Sequence, residues 1–321
     1  MKAILLHEFG PPEQLTPGEL PDPVAAAGEL LVRVEGSSVN PVDTKIRSGA
    51  LSAVCNPLPA VLHGDVLGTV EALGENVTDF AVGDRIWACA GGVKGSDGAL
   101  VELMRVDHRL ASLAPASLPG VEAAALPLVG ITAWEAVVER AQVRPGQRVL
   151  VHGATGGVGH IAVQLAKLAG AFVHATVSVE DKVEAARELG ADEVFVGREN
   201  QQLQNAYDIV IDTLGGSNLG QSFHQIDRGG KVVTIAARTE ADLSPLHAKA
   251  ASLEVVFMLL PLLTGKGREA HGAVLRHLAA LVNSGRVQCR IAERYSFAEA
   301  ATAHRAVEET NRIGKVLLTG W

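Results

Sequence analysis

The pattern of apolar and polar positions divides the chain into two textures. In the first third, "ELLVRVEGSSV" (29–39) alternates apolar and polar residues with the period of a half-buried strand. "DVLGTVEAL" (65–73) follows with glycine bends, and "FAVGDRIWA" (80–88) places a Gly83-Asp84 turn between two strands. "DHRLASLAP" (107–115) adds another strand before a proline. Short strands separated by Gly and Pro predict a small, β-rich, barrel-like domain.

Near Pro119 the texture changes. "GVEAAALPLVGITAWEAVVERAQV" (120–143) has helical spacing, interrupted at Pro127. Strands and helices then alternate: "RVLVHG", a helix over 158–169, "FVHATV", a helix in "EDKVEAARELG", "EVFVG", "YDIVIDTLGG", "GKVVTIA" and "LEVVFML". Such alternation builds parallel βαβ units, and hence an α/β fold with a doubly wound parallel sheet. The last segment holds two helices, "AVLRHLAALVNSG" and "FAEAATAHRAVEET", and a final strand "KVLLTG". The divisions fall at 1–121, 122–265 and 266–321.

"LEVVFML" is apolar on both faces and late in the sheet order, which puts it at an edge. An uncovered apolar edge invites pairing with another chain. Either the following "PLLTG" of the same chain covers it, or a second copy does.

Composition narrows the function. The chain has 321 residues, 47% hydrophobic and 20% charged, with a formal net charge of −8. That balance disfavours a broad nucleic-acid-binding face. No stretch reaches the roughly 18 apolar residues of a membrane helix; "VVFMLLPLLTG" comes closest and contains Pro261. The opening "MKAILLHEFG" reads as a first strand rather than a leader. Cys55, Cys89 and Cys289 are scattered without CxxC spacing, so a disulfide framework is not expected and a reducing, cytoplasmic location is.

The chemistry centres on "HGATGGVGH", which follows an apolar strand and opens an apolar-periodic helix. In that context a glycine pattern signals a dinucleotide turn. Thr155, Gly156, Gly157 and Val158 would cradle a pyrophosphate at the helix N-terminus, and Gly159 would let helix and strand pack closely. Ala154 takes the place of the first glycine. About twenty residues on, an NAD site carries an acidic residue for the ribose; here the position is Ser178. Ser178 can donate to a 2′-phosphate, and Lys182 can add charge, although Glu180 and Asp181 weaken the field. NADPH is therefore expected over NADH. Lys182 read alone is more commonly a solvated helix-surface lysine.

"SSVNPVDTKIRSG" (37–49), "GITAWEAV" (130–137), "GATGGVG" (153–159), "IDTLGG" (211–216) and "GKVLL" (314–318) are similar to motifs of the zinc-independent quinone oxidoreductase (zeta-crystallin-like) branch of the medium-chain dehydrogenase/reductase superfamily, in the same order along the whole chain. The resemblance implies a GroES-like catalytic domain beside a Rossmann domain, closed by the C-terminal segment, with a cleft between them. It places Asn40 and Thr132 near the nicotinamide and Leu214 beside the cofactor. Read alone, Asn40 is a turn residue before Pro41, and Thr132 a helix cap.

Zinc-dependent relatives hold their metal with a Cys, a His-Glu pair and another Cys or Asp. Here Asn40 stands for the first Cys, Gly64 for the His and Asp65 for the Glu, with His63 one position early. No metal is expected, which removes the Lewis acid that activates an alcohol. The implied activity is NADPH-dependent hydride transfer to a quinone or an α,β-unsaturated carbonyl. Enoyl-thioester reduction, and a non-enzymatic NADPH-binding role, are the alternatives.

Lys45 occupies a place where some relatives have a tyrosine. It would either steady an enolate or quinol oxygen or face solvent, the usual fate of lysine, and the proton donor stays unassigned. Gly197-Arg198 replace a typical tyrosine near the adenine phosphate. Relatives also pair the sheet edge across a twofold axis, which predicts a homodimer with Val255, Val256 and Phe257 near the axis.

Overall fold

The computed structural model describes residues 1–197, 203–309 and 312–321. β1 (Lys2–Leu6) and β2 (Leu15–Glu19) form a short antiparallel pair. The alternating stretch read as a strand becomes β3 (Glu29–Val39), the spine of the first domain. Its first half lies between β4 (Asp65–Leu73) and β6 (Leu103–Asp107), with register shifts against β4 at Leu31/Val32 and Val34/Gly36. After β3 comes α1 (Pro41–Arg47), and beyond β4 lie β5 (Arg85–Cys89), β6 (Leu103–Asp107) and β7 (Ala111–Leu113). "FAV" before the Gly83-Asp84 turn is loop rather than strand, whereas "LMRVD", not anticipated, pairs with β3.

α2 (Pro127–Trp134) starts at the predicted proline break and widens into a π-helical turn over Glu135–Arg140. The alternating region then supplies β8 (Arg148–His152), α3 (Gly159–Leu168), β9 (Phe172–Val177), α4 (Val183–Glu188), β10 (Glu193–Val196), β11 (Tyr207–Asp212), α5 (Ser217–Gln225), β12 (Ile226–Thr234), α6 (Ser244–Lys249) and β13 (Ser252–Val255). These six strands are all parallel, in the order β10-β9-β8-β11-β12-β13. The order reverses between β8 and β11, where a doubly wound sheet opens a crevice at its strand ends. Successive residues of β8 serve opposite faces: Val149 and Val151 join the main core, while Leu150 packs with Phe223, Val232 and Leu246.

β13 is at the edge, as expected, but it ends at Val255. Val256 turns inward (4% exposed), with its N–H on the Thr234 carbonyl at 2.9 Å. Of the three residues expected near a twofold axis, only Val255 (47%) and Phe257 (51%) face outward. The chain continues through α7 (Leu260–Thr264), α8 (Arg268–Asn283), β14 (Ile291–Tyr295), α9 (Ala300–Glu308) and β15 (Lys315–Thr319). β15 returns to the first domain and pairs antiparallel with the second half of β3, and β14 extends that sheet beyond it. Among the described residues no helix is long and apolar enough to cross a membrane.

Two polar contacts, one part-buried and one fully buried, dock α9 onto the first domain. The Arg47 guanidinium, 3% exposed, grips Glu308 through both terminal nitrogens at 2.6 and 3.3 Å. Beside it, His304 and His63 stack with ring centroids 5.1 Å apart. The hydrogen-bond directions follow from one hydroxyl. Ser37 Oγ donates to the Asp65 carbonyl at 2.7 Å, so it accepts from His63 Nδ1–H at 3.1 Å. His63 Nε2 is then an acceptor for His304 Nε2–H at 2.8 Å. His304 Nδ1 is buried with no partner among the described residues.

Burial keeps both rings neutral. It pushes His304 down to about 3, with Arg47 adding repulsion, and holds His63 well below its ordinary value. An unfolded histidine titrates near pH ~6.5. Below that pH the unfolded chain takes up protons that the folded chain refuses, so stability falls with acidification by about 1.4 kcal/mol per pH unit per histidine. The urea midpoint is expected to drop from about pH 7.5 to about pH 5.5. His304→Gln keeps an N–H for His63 and removes one titrating group, so it should flatten that slope; an unchanged slope would show that these rings do not govern it.

Candidate active site

β3 ends where Pro41, at the first turn of α1, can give no N–H to a ladder. Asn40 therefore joins strand to helix. Its N–H donates to Asp43 Oδ2 at 2.7 Å, a capping contact that sets the start of α1. Its side chain is wholly buried, with Nδ2 donating to Asp65 Oδ2 at 2.8 Å and to the Ser38 carbonyl at 3.5 Å, and Oδ1 accepting from Lys315 Nζ. Asp65 Oδ2 also accepts from Ser38 Oγ at 2.6 Å, and Oδ1 accepts the Leu128 N–H at 2.7 Å. One carboxylate thus gathers β3, β4 and the first turn of α2.

The charges in this cluster oppose their own burial. Desolvation raises the pKa of Asp65, while Lys315, Ser38 and Asn40 draw it back. Asp43 is pushed up to about 7 by burial, against the pull of the Asn40 N–H. Lys315, beginning β15, is lowered by desolvation and supported by Asp65 and Asp43. Besides Asn40 Oδ1, its ammonium donates to the Val39 carbonyl at 2.8 Å.

The glycine turn packs directly against this cluster. Gly153 has φ +67°, a backbone that glycine adopts without strain. A Cβ at Gly159 would stand 2.1 Å from the Gly153 carbonyl oxygen, so α3 can meet the end of β8 only without a side chain there. A Cβ at Gly157 would lie 3.2 Å from Val129 and 3.3 Å from the Lys315 stem. The Gly314 N–H donates to the Thr155 carbonyl at 2.9 Å. Val158 precedes α3 and is half-buried, and Gly156 donates back to Gly153 at 3.0 Å.

Thr132 lies inside α2 rather than at its cap, with Oγ1 donating to the Leu128 carbonyl at 2.7 Å. Asp212, at the end of β11, accepts from Leu214 N, Gly215 N and Asn218 Nδ2 through one oxygen at 3.0, 3.1 and 2.8 Å. That turn holds Leu214, 56% exposed, over Gly153. At the end of β9, Lys182 Nζ donates to Ser178 Oγ at 3.2 Å, and partial burial lowers the lysine's pKa.

The structure thus links Asn40, Thr132, Thr155 and Gly157 through Asp65, Leu128 and Lys315, and it brings Ser178 and Lys182 together. Lys45 stands apart, exposed on α1. Arg198 lies outside the described residues. Sequence reading passed over Ser38 and Lys315 as functional positions. The available signals were a serine pair inside an apolar strand and a lysine heading the all-apolar "VLL". Both nitrogens of His63 are engaged with Ser37 and His304, and among the described residues no group of three or more His, Cys, Asp or Glu is arranged to hold a metal.

Residues 26–117 match the family model described as "Alcohol dehydrogenase GroES-like domain", and residues 189–318 match "Zinc-binding dehydrogenase". The human protein named "Quinone oxidoreductase" is 30% identical over 329 residues, covering 99% of this chain and 97% of that protein. An alcohol dehydrogenase superfamily protein from Novosphingobium aromaticivorans superposes with a TM-score of 0.94 at 38% identity, covering 100% of both chains. Mycobacterial Rv1454c, solved in complex with NADPH, gives a TM-score of 0.85 at 29% identity, again covering 100% of both chains.

Proposed function

This chain belongs to the quinone oxidoreductase family of the medium-chain dehydrogenase/reductase superfamily, and we propose that it is a zinc-independent reductase that uses NADPH to reduce a quinone or an α,β-unsaturated carbonyl. The observation that carries this reading is the state of Asp65 and Asn40. The carboxylate is filled by Ser38, Asn40 and Leu128 donors, and the amide is divided between Asp65 and Lys315. Zinc centres of the zinc-dependent relatives combine thiolate and imidazole donors with a carboxylate; here the carboxylate is already filled and the neighbouring His63 is committed elsewhere. Without Lewis-acid activation, the favoured partner is a compound whose carbon or oxygen already accepts hydride.

The residues fit a dinucleotide. The loop over Thr155–Val158 offers backbone N–H groups at the N-terminus of α3 for a pyrophosphate. Ser178 and Lys182 offer a hydroxyl and an ammonium at the end of β9, with no carboxylate at the ribose position to repel a 2′-phosphate. Thr132 spends its proton on Leu128, so toward a ligand it only accepts, which suits the N–H of a carboxamide. Asn40 has the reverse character, because Lys315 occupies its oxygen and its Nδ2 is a donor, bonded to Asp65 at 2.8 Å and to the Ser38 carbonyl at a long 3.5 Å. A bound NADPH supplies the hydride.

NADPH oxidation should be seen with 1,4-benzoquinone or small enals and not with saturated alcohols or ketones, and it should survive exhaustive dialysis against a strong chelator. Activity confined to enoyl thioesters would point to a different substrate class, and activity lost with zinc would overturn the metal-free reading. NADPH should bind at least about tenfold more tightly than NADH, one charge-assisted contact being worth about 1.5–3 kcal/mol. Lys182→Ala should narrow that gap in a fluorescence titration, and equal affinities in the wild type would refute the assignment.

We extend the proposal to assembly. β13 exposes its edge together with Val255, Phe257 and Leu260, and pairing with a second copy across a twofold axis would cover them. Light scattering should give twice the 33.5 kDa chain mass. Val255→Asp or Phe257→Asp should halve it without unfolding, whereas a charge at buried Val256 would disrupt the core instead.

A further inference from the structure

Lys315 is a fully buried ammonium whose hydrogen bonds go to two amide oxygens, Val39 O and Asn40 Oδ1. A buried charge is costly to keep, and an apolar side chain of the same length would pack as well. The lysine's contacts indicate what it supplies. The Asn40 amide is nearly symmetric in shape, and packing alone does not distinguish its oxygen from its nitrogen. Lys315 can only donate and ionised Asp65 can only accept, so the amide between them has a single permitted orientation. The Lys315 stem also runs against Gly157, and its neighbour Gly314 is bonded to Thr155. The same residue therefore touches the phosphate loop and the substrate-side amide.

We propose that Lys315 is a positioning residue, which holds the Asn40 amide with its oxygen toward the ammonium and its nitrogen toward Asp65 and the Ser38 carbonyl, and keeps that amide in register with the phosphate loop. This inference rests on the reductase reading above. It assigns Lys315 no contact with substrate; its effect passes through Asn40.

The test is a double-mutant cycle between Lys315→Met, which keeps the unbranched stem, and Asn40→Ala. With 1,4-benzoquinone as acceptor, Lys315→Met should lower kcat by at least about tenfold while leaving KM and the NADPH Kd within about threefold, and in the Asn40→Ala background it should cost nothing further. Lys315→Arg, which keeps charge and donors, should recover most of the rate. Independent, additive losses, or a loss confined to NADPH affinity, would overturn the proposal. If Lys315→Met fails to fold, Asp65→Asn/Lys315→Met removes both buried charges and enters the same cycle with the same expectation. If the wild type reduces none of the acceptors, the reductase reading fails, and the emission spectrum of bound NADPH still decides this one. Lys315→Met should shift it in the wild-type background and not beside Asn40→Ala; a shift of equal size in both would refute the coupling.

Discussion

The carboxylate of Asp65 is the constraint on which the rest of the structure depends. Its acceptors are taken by a serine and an asparagine of the same strand end and by the first N–H of the helix leading into the second domain. A buried anion needs such saturation, because each unfilled lone pair would be removed from water without return. The lysine that offsets its charge comes from the last strand of the chain. Both domains and the returning segment are therefore tied to one point, and the candidate cleft is built around it.

Much of this was legible in the sequence because it is local. The glycine turn, its flanking strand and helix, the serine and lysine after β9, and the proline that opens α1 are each read within about twenty residues. Alternation of strands and helices was enough to give the parallel sheet, and the edge position of β13 followed from its order. What stayed hidden depends on residues far apart in the chain. Nothing near Lys315 announces Asn40, 275 residues away, and nothing near His304 announces His63. The end of β13 escaped for a different reason. "VVFML" is equally apolar as strand or as core-directed turn, and its alternation alone could not show that Val256 faces inward while its two neighbours face outward.

The cluster also shows how polar groups can be specific inside a core. Asn40 is satisfied by an anion on one side and a cation on the other, so its orientation is set by charge rather than by shape. Thr132 reaches a similar end by a simpler route, giving its proton to its own helix and keeping only acceptor character. Asn40 and Thr132 thus have complementary hydrogen-bonding character, the one giving its amide protons to Asp65 and Ser38 and the other left only to accept. This complementarity was already implicit in the choice of an asparagine and a threonine, but which way each would face was set by neighbours the sequence does not adjoin.

The return of β15 to β3 has a consequence for how the molecule is made. The second half of β3 lacks this partner until residues 316–319 leave the ribosome, after the whole Rossmann domain has been synthesised. The six parallel strands have all their partners among themselves and are available to fold earlier, whereas the first sheet waits with one edge open. The parallel sheet can therefore form without waiting for β15, although it follows the first sheet in sequence. β15 brings the buried ammonium to the carboxylate, so the cluster around Asp65 is complete only once strands from opposite ends of the sequence have met.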